Sequence, residues 1–347
     1  MRILFTGLRT DNLVNMNVIY YLEKEIAKNA ECMWSGKGWP NHVPGERITD
    51  TIKRLYGNDS PDFIVSNRSD REDYQDYVLA RSKLPPIVTT LADIHVKPKN
   101  WVDLVNDSSS GVLMRYLQSP YEKKTLFNVY TYYSKIDENY YIKNIKRPIL
   151  HFPWFTDPRI YKPSTEKKYD VVFLGTYNKK VYPLRNNIVK ELPAICARNN
   201  WEYLVRGRPP GRSEKRNISN LLEQGYIVGE KYADTIARSK IFIFGNSVLR
   251  YPVSKYFEVM GSGSLVMANE PQTAKELHFF AGENYVDITQ DNWKDKLIYY
   301  IENDSERERI AMNGYKTVMK YHTSEIRAMQ LLEFLNKLIG SDQYLKN

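Results

Sequence analysis

The stretch Tyr251-Pro-Val-Ser-Lys-Tyr-Phe-Glu-Val-Met-Gly-Ser-Gly-Ser-Leu-Val-Met267 predicts a short helix that runs into a buried strand. Ser254 is expected to cap the helix N-terminus, because a serine hydroxyl can accept a hydrogen bond from the first turn. Gly261 and Gly263 end the helix before the apolar run Leu265–Met267. We expect the N-terminus of this helix to point into a ligand-binding cleft.

Two charged residues of this helix suit a nucleotide. The N-terminus carries unpaired N–H groups and a partial positive charge, and Lys255 adds a full charge beside it, so a diphosphate would be held there. Glu258 does not take part in a capping box, since that motif needs Glu or Gln at the position that Phe257 occupies. Its carboxylate is therefore free to accept hydrogen bonds from a diol such as a ribose. The alternative is an i,i+3 ion pair of Lys255 with Glu258 on an exposed helix face.

Three segments resemble GT-B-fold glycosyltransferases, in particular the glycosyl transferases group 1 domain of CgeB-like proteins. Phe257-Glu-Val-Met-Gly-Ser-Gly263, followed by its apolar strand, resembles the donor-site segment of this family. The connector Asp157-Pro-Arg-Ile-Tyr-Lys-Pro163 is similar to the Asp-Pro-x-x-Phe-x-Pro sequence between the two halves of these proteins, with Tyr161 in place of Phe. Phe173-Leu-Gly175 and the later Arg185 resemble the start of the family's donor domain.

This resemblance implies an α/β protein of the GT-B class, in which two Rossmann-like doubly wound domains face a central cleft. Residues 1–155 would form the acceptor-binding domain, and residues 164–322 the domain that binds the nucleotide sugar. The C-terminal segment 323–347 would be a helix that crosses back to the first domain. The alternation of short apolar runs with helical stretches independently predicts parallel, doubly wound sheets.

The predicted donor-binding residues come from the second half of the chain. The resemblance implies that Glu258 binds the ribose and that Gly175 and Arg185 face the diphosphate, although Arg185 could equally be a solvated helix residue. The loop that begins at Arg206-Gly207 suits phosphate contact through its arginines, or forms a solvated tip or a docking patch for a polyanionic acceptor. The full predicted nucleotide-sugar-binding set is Gly175, Thr176, Arg185, Arg206, Gly207, Arg250, Ser254, Lys255 and Glu258.

Arg250 bears on the stereochemistry of the reaction. Retaining members of the family carry two glutamates eight positions apart, and the partner of Glu258 would stand at position 250, where this chain has an arginine. The opposite charge puts a retaining mechanism in doubt and favours inversion. Arg250 could instead offset charge on the leaving diphosphate.

An inverting transferase needs a base that takes the proton from the attacking hydroxyl. The predicted strand Pro86–Ala92 delivers Asp93 and His95 at its carboxyl end, where ligands of doubly wound sheets bind. This short segment resembles the Asp-Ile step of phage DNA β-glucosyltransferases, in which the matching Asp is the proposed base. We therefore predict Asp93 as the catalytic base. The alternative is that Asp93 caps a turn and that His95 is a surface or packing residue.

Composition narrows the class of protein. The chain has 347 residues, enough for two domains, and a net charge of +9, which should attract an anionic partner such as a nucleotide diphosphate, nucleic acid or lipid headgroups. Cys32 and Cys196 are the only cysteines and show neither disulfide nor zinc spacing. The sequence shows no signal peptide and no apolar stretch long enough to span a membrane. A cytoplasmic location is expected, with at most peripheral membrane contact.

The predicted function is that of a hexosyltransferase that moves a sugar from a nucleotide-diphosphate sugar, with a UDP-sugar favoured, to an acceptor hydroxyl. No metal ion or other cofactor is expected, because cationic residues can stabilise the departing diphosphate. The acceptor would be a cell-envelope glycan, a lipid-linked sugar or a protein. Two alternatives are a DNA-modifying glucosyltransferase that acts on a hydroxylated base, and a non-catalytic protein that binds nucleotide sugars or nucleic acid.

Four further predictions concern secondary structure. The segment Trp101–Ser110 is expected to be a surface loop. Leu126–Val129 and Tyr226–Val228 are expected to be short strands. The apolar stripe of Ser324–Ile339 predicts an amphipathic helix.

Overall fold

The computed structural model of the chain describes residues 1–14, 17–66, 77–78, 80–91, 98–117, 119–120, 123–125, 131–133, 136–137, 140–209 and 217–340. The chain divides into two compact units. Unit 1 consists of Met1–Asp11, Ile19–Pro153 and Glu325–Asn347, and unit 2 of Asn12–Val18 and Trp154–Ser324. The predicted strand Leu126–Val129 lies outside the described residues.

Unit 1 is built on a parallel sheet. In chain order its strands are β1 (Arg2–Phe5), β2 (Glu31–Trp34), β3 (Phe63–Ser66), β4 (Ile87–Leu91), β5 (Gly111–Met114), β6 (Ser119–Pro120), β7 (Lys123–Thr125), β8 (Thr131–Tyr133), β9 (Ile136–Asp137) and β10 (Ile149–His151). The sheet has the order β2-β1-β3-β4-β5-β10, and every neighbouring pair in it is parallel. The short strands form two separate antiparallel pairs, β6 with β9 and β7 with β8.

Helices cover this sheet and account for its apolar sequences. They are α1 (Asn17–Ile26), α2 (Ile48–Tyr56), α3 (Pro98–Ser108) and α4 (Tyr140–Asn144), with a 3-10 turn at Arg81–Lys83. α2 packs Ile48 and Ile52 against residues of β1, β3 and β4, and α3 packs Val102 and Val105 against β4 and β5. β3, β4 and β5 are buried along their whole length, which explains why they read as mostly apolar runs.

Unit 2 repeats the same topology. Its strands are β11 (Tyr169–Leu174), β12 (Tyr203–Arg206), β13 (Ser239–Ile243), β14 (Leu265–Ala268) and β15 (Val286–Asp287). They form a parallel sheet in the order β12-β11-β13-β14-β15. Its helices are α5 (Pro183–Asn199), α6 (Ile218–Glu223), α7 (Gly229–Ala237), α8 (Ser254–Gly261), α9 (Trp293–Glu302) and α10 (Asp304–Tyr321). Both units are therefore doubly wound and Rossmann-like, as predicted.

The last helix, α11 (Ser324–Ile339), has the predicted bounds and packs within unit 1. It lies close against β5: a Cβ built on Gly111 would stand 2.9 Å from Leu338 Cδ1 and 3.0 Å from Phe334 Cε1. The absence of a side chain at Gly111 lets the helix approach the strand at this distance. Leu335 and Leu338 of the predicted stripe are buried, whereas Met329 of that stripe is exposed and Leu331, outside it, is buried.

Two local predictions are wrong. Trp101–Ser110 is no surface loop, because most of it belongs to α3 and Ser108, Ser109 and Ser110 are fully buried. The serine hydroxyls are satisfied internally: Ser108 donates to the Leu104 carbonyl over 2.8 Å, and Ser109 bonds Thr89 over 2.8 Å. Tyr226–Val228 is no strand; Val228 is the N-cap residue of α7 and packs on Leu221 of α6.

The predicted connector is irregular but firmly packed within unit 2 from Trp154 onward. Asp157 has no exposed surface, and it accepts a hydrogen bond from Ser324 Oγ over 2.6 Å and pairs with Arg159 over 2.6 Å. α8 ends against the same segment, since a Cβ built on Gly261 would lie 2.2 Å from Thr156 Oγ1. This packing brings Tyr161, which is 4% exposed, to α8.

Candidate functional site

The sheet of unit 2 reverses its strand order between β11 and β13. From β11 the chain moves to one side, to β12, and β13 then continues the sheet on the other side. Loops that leave neighbouring strands at such a switch point diverge, and ligands of doubly wound sheets bind in the crevice between them. Here the two loops begin at Gly175, which follows β11, and at Phe244, which follows β13. Several of the predicted donor-binding residues meet at this edge.

Gly175 leaves room for a ligand between two cations. Its φ is +155°, a backbone conformation that L residues rarely adopt. A Cβ at this position would lie 3.3 Å from Lys255 Cε, and 3.8 Å from both Lys255 Nζ and Arg185 Nη1. The glycine therefore permits an oxyanion to approach the backbone where these two side chains converge.

Arg185 joins the two diverging loops. It lies in the first turn of α5 and is 5% exposed, so the alternative of a solvated helix residue is wrong. Its Nε donates to the carbonyl of Gly245, and its Nη1 donates to the carbonyl of Thr176 over 3.1 Å. Burial lowers the pKa of the guanidinium. Within the described ranges it forms no ion pair with a carboxylate, so its positive charge is available to an anion.

Lys255 stands in the first turn of α8, beside Gly175. Burial lowers the pKa of its ammonium from 10.5 to about 8, the charges of Arg185 and Arg208 act in the same direction, and Glu258 opposes them. Its Nζ lies 3.4 Å from the hydroxyl of Tyr232. No described carboxylate forms an ion pair with it, and the predicted alternative of an exposed pair with Glu258 is therefore wrong. A diphosphate would relieve the unfavourable electrostatic environment of this cation.

The N-terminus of α8 is open, but Ser254 does not cap it. Ser254 is the first residue of the helix, and the N-cap position is held by Val253, which has extended backbone and no side-chain acceptor. The prediction of a serine cap is thus off by one residue. Within the described part of the chain no side chain at the N-cap position covers the first-turn N–H groups, which keeps the partial positive charge of the helix end beside Lys255.

Glu258 is held more tightly than the sequence suggested. It is 2% exposed, and its Oε2 accepts a hydrogen bond from the Tyr232 hydroxyl over 2.9 Å. The Tyr161 hydroxyl faces the same carboxylate, and burial together with the charge of Glu258 raises the pKa of both phenols. A carboxylate has about four acceptor positions, so this one retains capacity for a ribose diol.

Of the two arginines that begin the loop after β12, Arg208 and not Arg206 acts on the cluster. Arg206 is exposed and its Nη1 donates to the neighbouring carbonyl of Val205 over 2.9 Å. Gly207 lies beside Tyr177, whose Cε1 would be 3.7 Å from a Cβ built on the glycine. The positive charge of Arg208 lowers the pKa of both Lys255 and Arg185.

Arg250 lines a cavity of unit 2. Its Nη2 pairs with Glu270 over 3.1 Å, and its backbone adopts φ 55°, in the left-handed region. The cavity, of about 270 Å³, opens at the carboxyl ends of β13, β14 and β15. Its polar lining residues are Asn246, Ser247, Arg250, Asn269, Thr289 and Gln290.

The predicted base Asp93 and its neighbour His95 lie outside the described residues, so their role stays a prediction. Among the residues that the structure describes, no three His, Cys, Asp or Glu side chains converge to hold a metal ion. The helices of the described ranges include none that is both long and apolar enough to cross a membrane.

Sequence reasoning missed Tyr232 and the contact of Tyr161 with Glu258, and from the arginines of the predicted phosphate loop it chose Arg206 and not Arg208. Tyr161 carried a signal, because it replaces the Phe of the family connector and adds one hydroxyl. Tyr232 carried none, since its proximity to Lys255 depends on a contact between distant parts of the chain.

Comparisons with known proteins agree with the fold described above. The model of a family described as glycosyl transferase-like matches residues 182–333. Sucrose-phosphate synthase of Thermosynechococcus elongatus is 12% identical with a TM-score of 0.63, and 98% of this chain and 99% of that one are covered. HepE of Anabaena, solved with UDP-glucose, is 14% identical with a TM-score of 0.61 over 97% and 100% of the two chains. A glycosyltransferase of Rickettsia africae is 11% identical with a TM-score of 0.63 over 98% and 99%.

At these identities the solved structures show the fold alone. No curated protein is matched by this sequence. The matched family segment covers most of unit 2, including the residues that meet at Gly175. The chain thus has the GT-B fold of glycosyltransferases, and its residues 182–333 are glycosyl transferase-like in sequence.

Proposed function

We propose that the protein is a glycosyltransferase that moves a sugar from a nucleotide-diphosphate sugar to an acceptor hydroxyl, and that unit 2 binds the donor. One observation carries this proposal: Arg185 and Lys255 converge on the backbone at Gly175, at the switch point of the sheet, with no carboxylate paired to either within the described residues. Buried cations without a counter-ion are costly. A bound diphosphate supplies the missing negative charge.

The donor is best matched by a ribonucleotide diphosphate sugar. Glu258 lies one helical turn beyond Lys255 in α8, so a nucleotide with its diphosphate at Lys255 brings its ribose towards Glu258. The structure of HepE, which has the same fold, was solved with UDP-glucose. We therefore favour a UDP-sugar as donor. This choice assumes that two proteins of the same fold bind the same class of nucleotide.

In the reaction the bond from the anomeric carbon to the diphosphate breaks, and its electron pair leaves with the nucleoside diphosphate. Arg185 and Lys255 would stabilise the negative charge that develops on the leaving oxygen, and the open N-terminus of α8 would add to their effect. Because two cations and a helix end already face the diphosphate, the proposed reaction needs no metal ion.

The acceptor oxygen forms the new bond to the anomeric carbon and loses its proton to a base. Asp93, which follows β4 by two residues in the sequence, is the proposed base, and attack from the face opposite the leaving group would invert the anomeric centre. The acceptor would be a hydroxyl of a glycan, a lipid-linked sugar or a protein, and we propose a cytoplasmic reaction.

The test is release of nucleoside diphosphate from a panel of UDP-, GDP-, ADP- and TDP-sugars, followed for the wild type, Lys255→Met and Lys275→Met. Lys275 is an exposed lysine of the same unit and serves as the matched control. We expect slow hydrolysis of one class of donor by the wild type and by Lys275→Met, and a loss of at least about tenfold in kcat/KM for Lys255→Met, because a hydrogen bond to a charged group is removed.

Equal turnover by Lys255→Met and the wild type would contradict the assignment of the donor site.

The variant Asp93→Asn tests the proposed base. It should leave binding of the donor unchanged and reduce transfer to an acceptor, since it removes the proton acceptor and keeps the shape of the side chain.

A further inference from the structure

The carboxylate of Glu258 is contacted by two tyrosines that come from different elements. Tyr232 comes from α7 and donates to Oε2 over 2.9 Å, while the hydroxyl of Tyr161, from the connector, faces the same carboxylate. Glu258 is 2% exposed and Tyr161 is 4% exposed. A buried carboxylate that accepts a hydrogen bond from one fixed phenol and faces a second cannot turn about its last side-chain bond without breaking the bond to Tyr232. Its remaining lone pairs therefore point in fixed directions.

We propose that Tyr161 and Tyr232 are positioning residues that orient Glu258 for the ribose of the donor, and that they set the preference of the site for ribonucleotides over 2′-deoxyribonucleotides. This inference rests on the proposed function of unit 2 as the donor site. Tyr232 occupies part of the acceptor capacity of the carboxylate, Tyr161 lies beside it, and a vicinal diol can use the rest. A 2′-deoxyribose offers one hydroxyl fewer, so it leaves part of this oriented acceptor unsatisfied.

Tyr232 also links the two ends of the nucleotide site. Its single hydroxyl proton is donated to Glu258, so its lone pairs remain for the ammonium of Lys255, 3.4 Å away. Because an ammonium can only donate, the hydrogen bonds run from Lys255 through Tyr232 to Glu258. The ring of Tyr232 supports the same ammonium, with Nζ 5.5 Å from the ring centroid. The cation for the diphosphate and the carboxylate for the ribose are thereby held at a fixed spacing.

A structural role alone would give a different result from a positioning role. If the phenols only filled space, removing a hydroxyl would lower stability and leave the ratio of affinities for UDP and 2′-deoxy-UDP unchanged. If they orient Glu258, that ratio must fall, because the carboxylate loses its fixed direction. The ratio is insensitive to a change in the amount of folded protein, since both ligands are measured on the same sample.

The experiment is isothermal titration calorimetry of UDP and of 2′-deoxy-UDP with the wild type, Tyr161→Phe, Tyr232→Phe and Tyr256→Phe. Tyr256 is the matched control, a buried tyrosine of α8 whose hydroxyl donates to the Asn269 carbonyl over 2.5 Å and not to Glu258. We expect the wild type and Tyr256→Phe to prefer UDP by about tenfold or more, the effect of one hydrogen bond to a charged group. Each of the other two variants should lose most of that preference.

Four outcomes decide the question. No binding of UDP to the wild type, together with no release of nucleoside diphosphate from any donor of the panel, overturns both the proposed function and this inference; if the panel identifies another ribonucleoside diphosphate, that nucleotide and its 2′-deoxy form replace UDP. Binding of UDP with no preference over 2′-deoxy-UDP overturns the inference and leaves the function standing. The same holds if Tyr161→Phe and Tyr232→Phe keep the wild-type ratio, or if they bind UDP more tightly, which would mean that the phenols compete with the ribose. Each variant is measured separately, so one that fails to fold leaves the other to decide.

Discussion

The loops that follow the first strands of the two units occupy equivalent places in the same topology and are built in opposite ways. In unit 1 the loop after β1 is closed by backbone, because a Cβ on Gly36 would lie 1.8 Å from the carbonyl oxygen of Gly7. The cation of that loop, Arg9, is neutralised by Asp11 through hydrogen bonds of 3.0 and 2.8 Å. In unit 2 the loop after β11 is open at Gly175, and two cations without a paired carboxylate among the described residues face it.

This difference shows that a doubly wound sheet does not make an anion site by topology alone. The strand order offers a crevice in both units. In unit 1 the protein fills it with its own backbone, and Arg9 lies 5.4 Å from the ring centroid of Trp39. Of these two loops, the one in unit 2 leaves both space and unbalanced positive charge, and for this reason we propose it as the donor site.

The largest expected effect comes from a substitution in the closed loop of unit 1. Gly36→Ala should lower the free energy of unfolding by more than about 3 kcal/mol, because the new methyl group overlaps a backbone carbonyl that cannot move aside as a flexible side chain would. Urea denaturation of the wild type and the variant measures this loss.

Gly175→Ala is the matched change in the open loop. Here the strained φ should cost about 1–3 kcal/mol of stability, and the methyl group should also reduce affinity for UDP, because it occupies the space between Lys255 and Arg185. If Gly36→Ala proved as mild as an ordinary surface change, or if Gly175→Ala left UDP affinity intact, the contrast between the loops would be lost.

The second effect concerns charge. Lys255→Met should weaken binding of UDP-glucose by about ten- to a hundredfold, since it removes a charge-assisted hydrogen bond to the diphosphate. Its stability should not fall by a comparable amount, because burying the ammonium is unfavourable in the free protein. Calorimetric titration and denaturation of the same samples separate the two quantities, with Lys275→Met as control. A large loss of stability without loss of affinity would make Lys255 a structural residue.

A third effect is a dependence of affinity on pH. The pKa of Lys255 is about 8 in the free protein, below its ordinary 10.5, in an environment that also holds Glu258, Arg185 and Arg208. One unit above that pKa only about a tenth of the protein carries the charged lysine, so the Kd for UDP-glucose should rise about tenfold relative to low pH. Lys255→Met should show no such rise. A wild-type affinity that increases with pH would contradict this account.

The same shift fixes the sign of the effect on stability. Between pH 8 and pH 10.5 the unfolded chain keeps the proton of Lys255 while the folded chain has lost it, so this group makes stability rise with pH in that window. Affinity and stability should therefore change in opposite directions as the pH increases through the pKa of Lys255.

The smallest effect belongs to the neutralised cation of unit 1. Arg9→Met should lower the free energy of unfolding by about 1 kcal/mol or less, because the ion pair with Asp11 is partly exposed, and should leave the affinity for UDP-glucose unchanged. The comparison with Lys255→Met is the direct test of the contrast between the loops. If Arg9→Met reduced the affinity as much as Lys255→Met does, the proposed contrast between the two loops would be wrong.

Much of the fold follows from local sequence, because long amphipathic or apolar segments carry a strong signal. The helix at Ser324–Ile339 was predicted with the bounds observed. Trp101–Ser110 was assigned to a loop because its serines are polar, whereas tertiary contacts with Thr89 and the helix backbone bury them. Local composition does not reveal such partners.

For the site, the sequence could identify Gly175, Arg185, Lys255 and Glu258, since a glycine after a strand and charges at a helix N-terminus have a recognisable spacing. It could not show that Arg185 bridges two loops, or that Tyr161 and Tyr232 hold Glu258, because these contacts join residues from 26 to 60 positions apart, and farther in the case of Tyr161. Whether Arg250 and Arg206 contact the donor stays a prediction.

The most direct test of the donor site is the free energy of unfolding measured with UDP-glucose at a hundred times its Kd, for the wild type and for Lys255→Met at the same ligand concentration. A ligand that binds only the folded state should add about 2.7 kcal/mol to the wild type. The account predicts this gain for the wild type and a much smaller one for Lys255→Met. No gain for the wild type would contradict the choice of UDP-glucose as donor, and an equal gain for both proteins would contradict the assignment of the cationic loop at Gly175 as the site of the nucleotide sugar.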